Sequence, residues 1–392
     1  MSGHFDEAWG TLGAREAGMP EDRVRIPLRV AMPMLTLVRG GMGGSETYAR
    51  ELTRELAGRS QLDVVASVPE AARGFSEGVA EQVLSHIRGG ESAAARVTTQ
   101  VQATVLSPQL RRQLSSADVV HYPLTVPAPR PPRRVPFVQT LLDVQHHDLR
   151  SIFSRGELGY RTLAYDRPAR RAAAVITISE FSKRQIVHHL GLPQNRVHVA
   201  HLGVDMDHFV PFRGVREDFV LYPARAWPHK NHGRLVEAME LARQQVPDLR
   251  LVLTGGRLDA LGDLPPWVDR RGLVSREELL GLYQRAACLA FPSRYEGFGL
   301  PPLEAMASGC PVAVADAGSL PEICGDAATL FDPDEPADIA RAILAARSMG
   351  DRAVDRGLEQ CRRFTWRACA DVHVDVYDRV GRTSACARST SP

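Results

Sequence analysis

The chain has 392 residues, 44% of them hydrophobic, 24% charged and 6% aromatic, and its 48 basic and 46 acidic residues leave a formal charge of +2. That length suits two ordinary domains, and the balance excludes a disordered chain, a collagen-like chain and a protein that binds nucleic acid through a strong basic excess. No apolar run reaches the ~20 residues of a membrane-spanning helix, and no basic-then-apolar leader opens the chain.

Residues 1–24 are polar and aperiodic and read as a mobile extension. Short apolar runs then alternate with helical patterns, the signature of βα units. Strands are expected at 28–35, 63–67, 119–122, 137–141, 175–178 and 197–200, and helices at 45–57, 155–173 and 180–190. Residues 70–115 carry no clear period. Prolines at 123, 127, 129, 131, 132 and 136 make 123–136 a loop. Residues 203–218 read as a connector. A second alternation follows, with strands at 219–223, 249–254, 288–291, 311–314 and 328–331. Its helices are expected at 233–245, 276–286, 301–308, 319–324, 335–346 and 366–380. The fold class is therefore α/β: two doubly wound parallel sheets facing a cleft. The boundaries this implies are 25–205 and 206–365, a terminal helix over 366–381 returning to the first domain, and a disordered tail over 382–392.

The six cysteines, at 288, 310, 324, 361, 369 and 386, contain no Cys-x-x-Cys pair. This argues against a disulfide framework and for a reducing, cytoplasmic setting. Only two of the basic residues are lysine, Lys183 and Lys230. A lysine kept where arginine is otherwise universal points to a position that needs a compact ammonium.

The segment Glu296-Gly-Phe-Gly-Leu-Pro-Pro-Leu-Glu304 places a glycine turn and a helix start directly after an expected strand. The amides of Phe298, Gly299 and Leu300 would face an anion there, with the helix dipole behind them. Glu296 and Glu304 flank the turn and suit the hydroxyls of a sugar. The competing reading is a structural turn with surface glutamates. A second segment, Arg225-Ala-Trp-Pro-His-Lys230-Asn231, follows another strand and would clamp a diphosphate from the opposite side. Gly40-Gly-Met-Gly-Gly44 follows the first strand but has neither dinucleotide nor P-loop spacing. Its glycines still allow a ligand close to the backbone. No metal is expected. Asp205-Met-Asp207 and Asp332-Pro-Asp334 have local explanations as connector and turn, and His229 and His232 lack a nearby carboxylate.

Together these segments resemble the glycosyltransferases of family GT4, retaining enzymes of the GT-B fold with two Rossmann-like domains. The resemblance runs from about residue 28 to 380. It also rests on Ile178-Ser-Glu-Phe-Ser-Lys183, Gly203-Val-Asp205, Gly272–Leu279, Gly309-Cys-Pro311 and Gly318-Ser-Leu-Pro-Glu322. It implies that Glu296 contacts the donor sugar and Glu304 the ribose. Arg225 and Lys230 would hold the diphosphate, and Gly43 and Gly44 would lie near donor phosphate and acceptor. Val274 would mark the base site. Relatives carry a His-Asp pair after the strand at 137–141, and Leu142-Asp143 stands here instead. Asp143 fits. Either His146 or His147 replaces the missing ring, or the sugar lacks the hydroxyl that ring would contact, as a 6-deoxy sugar would.

The expected function is metal-independent retaining transfer of a sugar from a nucleotide-diphosphate sugar to a hydroxyl acceptor, with no cofactor. The alternatives are a nucleotide-sugar epimerase of the same fold, a silent nucleotide-sugar-binding protein and, weakened by the missing fingerprint, a nicotinamide oxidoreductase. Residues 107–171 carry eleven arginines against five acidic residues. They read as solvated helix faces or as a contact for an anionic membrane surface or acceptor. No nucleic-acid partner is expected.

Overall fold

The computed structural model describes residues 26–40, 42–87, 102 and 107–389. The extension expected over 1–24 lies outside them. The first sheet has seven parallel strands: β1 (Leu28–Pro33), β2 (Leu62–Pro69), β3 (Ala80–Leu84), β4 (Val119–Tyr122), β5 (Phe137–Thr140), β6 (Ala174–Thr177) and β7 (Val197–Val199), in the order β3-β2-β1-β4-β5-β6-β7. The second has six: β8 (Glu217–Pro223), β9 (Arg250–Thr254), β10 (Val268–Gly272), β11 (Ala286–Phe291), β12 (Val312–Ala315) and β13 (Ala328–Phe331), in the order β10-β9-β8-β11-β12-β13. Strands covered on both faces are continuous apolar runs, and every residue of β11 is buried.

Helices of eight or more residues are α1 (Gly44–Ala57), α2 (Pro108–Ser116), α3 (Glu180–Leu190), α4 (His232–Arg243), α5 (Arg276–Arg285), α6 (Leu300–Ala307), α7 (Pro336–Ser348), α8 (Asp351–Cys361) and α9 (Trp366–Ser389). Three differences from expectation have physical causes. The helix expected over 155–173 breaks into Arg155–Arg161, a π-helical turn at Thr162–Asp166 and a single turn at Arg167–Ala169. Pro168 stops the regular bonding there. Strand β10 and helix α8 were not expected, because Asp269-Arg-Arg and the charges of 351–359 hide their periods. Helix α9 runs past Arg382 to Ser389, where a disordered tail was expected, because no proline follows Trp366 until Pro392.

In each sheet the strand order reverses once, at β1/β4 and at β8/β11. Ligands of doubly wound sheets bind outside the carboxyl ends at such points. The loops after β1, β8 and β11 leave those ends.

The chain crosses between domains at residue 204 and returns at 364, where Val204 N donates to the Phe364 carbonyl (3.1 Å). A Cβ on Gly203 would sit 2.1 Å from Trp366 N, so only glycine lets the strands of the crossing touch. Helix α9 then packs on α1 and the first sheet. A buried chain of hydrogen bonds fixes it. Burial drives the His373 ring to about 4 and His121 well below its usual value, so both rings are neutral. His373 Nδ1–H then donates to the Cys369 carbonyl (2.8 Å), leaving Nε2 to accept from Tyr48 Oη (2.8 Å). Tyr48 Oη accepts from Thr140 Oγ1 (2.8 Å), which accepts from His121 Nε2 (2.8 Å), whose Nδ1 accepts from Tyr377 Oη (2.7 Å). Every proton has one consistent place. Tyr377→Phe leaves His121 Nδ1 buried and unpaired, and is expected to cost about 1–3 kcal/mol. A urea melt should show a lower midpoint with an unchanged slope.

Cys288, Cys310, Cys324, Cys361 and Cys369 are buried free thiols, and burial raises the pKa of each. No described helix is long and apolar enough to cross a membrane.

Candidate active site

Two cavities line the cleft between the sheets and share Gly43. One, of about 340 Å³, is lined by Met42, Gly43, Asp143, Arg225, Lys230 and Glu296 among others. The other, of about 470 Å³, takes in Gly43, Asp205, Val274, Arg276, Leu300 and Glu304. The expected pairs therefore separate: Arg225, Lys230 and Glu296 gather in the first, Val274, Leu300 and Glu304 in the second.

Lys230 is carried out of β8 on a short 3-10 turn, and its Nζ pairs with Glu296 Oε1. Tyr222 Oη donates to the Lys230 carbonyl (2.6 Å), which ties the loop to the buried strand beneath it. The Arg225 guanidinium faces the same cavity and has no carboxylate partner among the described residues. A Cβ on Gly256 would lie 3.2 Å from Arg225 Nε, so the glycine makes room for the side chain.

Glu296 opens the turn and Glu304 sits in α6. Gly299, at φ 115°, makes the sharp entry. The N–H groups of Phe298 and Gly299 have no protein partner among the described residues, so they remain available to an anion. The Phe298 side chain itself is buried against Phe364, with ring centroids 5.8 Å apart, so any role it has at the site is through its backbone. Ser319 Oγ donates to the Phe298 carbonyl (2.6 Å) and braces the turn. Leu300 closes toward the other domain, with its Cδ1 3.5 Å from the place a Cβ on Gly44 would take. Burial raises the Glu304 carboxyl to about 7 although Tyr283 Oη donates to its Oε2 (3.0 Å). Burial also raises Asp143, and the Gln145 amide donating to it (3.2 Å) opposes that shift without cancelling it.

Some expectations need correction. His146 does not reach the cleft. It is 2% exposed and turned inward, with Nε2 3.0 Å from Asp166 Oδ1, and His147 Nε2 lies 3.0 Å from Oδ2 of the same carboxylate. Burial alone would raise Asp166, but the two imidazole contacts hold it below the usual range. Leu142 instead lines a third cavity, of about 230 Å³, with Thr36, Thr125, Tyr165 and Arg225. The Asp-x-Asp pairs are occupied locally. Arg276 donates to Asp205 Oδ2 (2.7 Å), and Arg294 pairs with Asp334 (2.6 Å).

Tyr283 escaped the sequence reading, and Arg276 and Glu322 lay in matched stretches without a role of their own. Tyr283 is a buried residue of α5, inside the helix expected over 276–286. Glu322 Oε1 accepts from Glu180 N (2.8 Å) and from His201 Nε2 (2.8 Å), while Oε2 accepts from Phe181 N (3.0 Å). It caps α3 from the opposite domain. Burial works to raise Glu322, and these donors outweigh it and hold the carboxyl down. Ser179 Oγ adds a bond to the Gly297 carbonyl (2.7 Å). The start of α3 is thus pinned to the turn that carries Glu296.

Two parallel-sheet domains that meet over a cleft, with a glycine turn at a helix start and a basic loop opposite, define the GT-B glycosyltransferase fold. The chain belongs to glycosyltransferase family GT4: the model for glycosyl transferases group 1 matches residues 205–357, and that for Glycosyltransferase Family 4 matches 42–208. It is 31% identical over 234 residues to O-antigen chain mannosyltransferase B of Escherichia coli, covering 53% of this chain and 60% of that one. It is 31% identical over 242 residues to MMP alpha-(1->4)-mannosyltransferase of Mycolicibacterium hassiacum, covering 56% and 57%. The chain thus spans less than two thirds of the length of these relatives. Among solved structures it is similar to Anabaena HepE in complex with UDP and glucose, with a TM-score of 0.68, 17% identity and coverage of 90% and 99%.

Proposed function

We propose that the chain is a retaining, metal-independent glycosyltransferase that moves a sugar from a nucleotide-diphosphate sugar to a hydroxyl acceptor. The observation that carries this is the pair of cavities that share Gly43. The 470 Å³ cavity, with Val274 and Glu304, suits a nucleoside. The 340 Å³ cavity, with Arg225, Lys230 and Glu296, suits the diphosphate and sugar. Gly43 lines both, and the free amides of Phe298 and Gly299 lie in the turn between Gly297, which lines one, and Leu300, which lines the other. The leaving diphosphate gains charge as the glycosidic bond breaks, and preformed donors there lower the barrier most. The acceptor would enter by the 230 Å³ cavity on the first domain.

A carboxylate nucleophile must be ionised and free. Glu296 is paired with Lys230 and so is not free, which supports departure and attack on the same face. Two matched relatives are named as mannosyltransferases, so nucleoside-diphosphate mannose heads the donors to be tried. Exposed arginines at 112, 130, 133, 134, 150 and 155 support contact with an anionic membrane surface, which vesicle sedimentation would check.

Incubation with nucleotide sugars, with and without hydroxyl acceptors, tests the reading. Transfer releases nucleoside diphosphate only when an acceptor is present, and the new anomeric centre keeps the donor's configuration. Conversion of the sugar without an acceptor would mark an epimerase, and binding without either reaction would mark a silent binder.

A further inference from the structure

The one compact group of metal-type ligands among the described residues lies behind the cleft, where the transfer reaction does not use it. His146, His147 and Asp166 place their Nε2 and carboxylate oxygen atoms within 4.8 Å of one another. Each imidazole nitrogen is 3.0 Å from its own Asp166 oxygen. An ion with bonds of about 2.0–2.2 Å to nitrogen and oxygen in tetrahedral array keeps its ligands roughly 3.3 Å apart. Each nitrogen is already near that distance from its own oxygen, and the set of ligand atoms, spread over no more than 4.8 Å, would draw together by about 1.5 Å at most to hold one. The two rings stand 4.4 Å apart, held as neighbours on the short helix Gln145–Asp148. Asp166 comes from the π-helical turn Thr162–Asp166, a distortion that recurs at functional positions in helices.

We propose that His146, His147 and Asp166 bind a zinc-class divalent ion that clamps the segment after β5 to the π-helical turn. Two imidazoles and one carboxylate select zinc or its neighbours over magnesium and calcium, which want oxygen alone. His146 and Asp166 are buried, whereas His147 is 20% exposed and gives the ion its entry and a fourth place for water. Metal on Nε2 moves each ring proton to Nδ1. His146 Nδ1 has no partner in the fold, so that shift breaks no bond there.

The position gives the ion a structural task. Asp143 and Gln145, just before the two histidines, line the 340 Å³ cavity, and Tyr165, just before Asp166, lines the 230 Å³ cavity. One ion would fix the walls of both. It lies off the diphosphate and takes no part in bond making, so the site stands apart from the glycosyltransferase reading.

The test uses the full chain without a polyhistidine tag, stripped with chelator and dialysed against Zn²⁺. The expected result is about one ion per chain, falling below about a tenth in Asp166→Asn and in His147→Gln. Zn²⁺ should also raise the thermal midpoint of the wild type and of neither variant. Co²⁺ should give the visible absorption of a tetrahedral site. His147→Gln is the safer variant for folding, since its ring is partly exposed, and circular dichroism checks both. Absence of Zn²⁺ from the wild type, or equal content in wild type and variants, would overturn the proposal. Neither outcome overturns the glycosyltransferase reading.

Discussion

Lys230→Ala and Arg225→Ala should each lower the rate of sugar transfer by about a hundredfold or more, the cost of removing one preorganised donor from a developing anion. The two act differently. Arg225 has no carboxylate partner among the described residues, so its guanidinium is held ready for phosphate. Lys230 is paired with Glu296 until the donor arrives, and the ammonium must then serve both groups. Lys230→Ala therefore also leaves Glu296 as an uncompensated charge in the cavity. Lys230→Arg should fail to restore the rate, because a planar fork does not replace a compact ammonium between two oxygen groups. Steady-state rates of the three variants check this, and near-wild-type turnover in both alanine variants would remove the diphosphate clamp from the account.

Glu304→Gln and Glu296→Gln should separate in calorimetry with the nucleoside diphosphate. Glu304 lines the 470 Å³ cavity proposed for the nucleoside, so its variant should lose affinity for the diphosphate as well as for the intact donor. Glu296 lines the 340 Å³ cavity and is proposed to face the sugar, so its variant should transfer poorly while binding the diphosphate almost normally, since that product carries no sugar. Equal losses would show the division of roles to be mistaken. The pH dependence follows from the Glu304 carboxyl near 7. A ribose diol donates hydrogen bonds to the ionised form, so bound donor favours deprotonation and binding releases a proton at acid pH. Affinity for the intact nucleotide sugar should rise with pH through about 7, then level off. In Glu304→Gln the profile should be flat across that range.

Much of this site is local in sequence, which is why it was legible. The turn from Glu296 to Glu304 is nine consecutive residues, so strand, glycine and helix start fix both carboxylates at once. Lys230 stood out because arginine fills nearly every other basic position. The parts that were hidden depend on contacts far along the chain. The direction of the His146 ring is set by Asp166, twenty residues away and presented by a π-helical turn that no spacing announces. Glu322 caps a helix of the other domain 142 residues earlier, and the role of Tyr283 follows from how α5 lies against α6. The alternation of strands and helices gave two parallel sheets, but β10 and α8 were masked by charge because the second sheet's edge and its outer helix both meet solvent.

The central claim is that the two cavities sharing Gly43 hold a nucleotide sugar. A thermal melt of the wild type and of Lys230→Ala against a panel of intact nucleoside-diphosphate sugars tests it most directly. A ligand at a hundred times its dissociation constant stabilises by about 2.7 kcal/mol, so one nucleotide sugar should raise the wild-type midpoint by several degrees and the Lys230→Ala midpoint by less. The absence of any shift in the wild type with every nucleotide sugar at millimolar concentration would contradict the account.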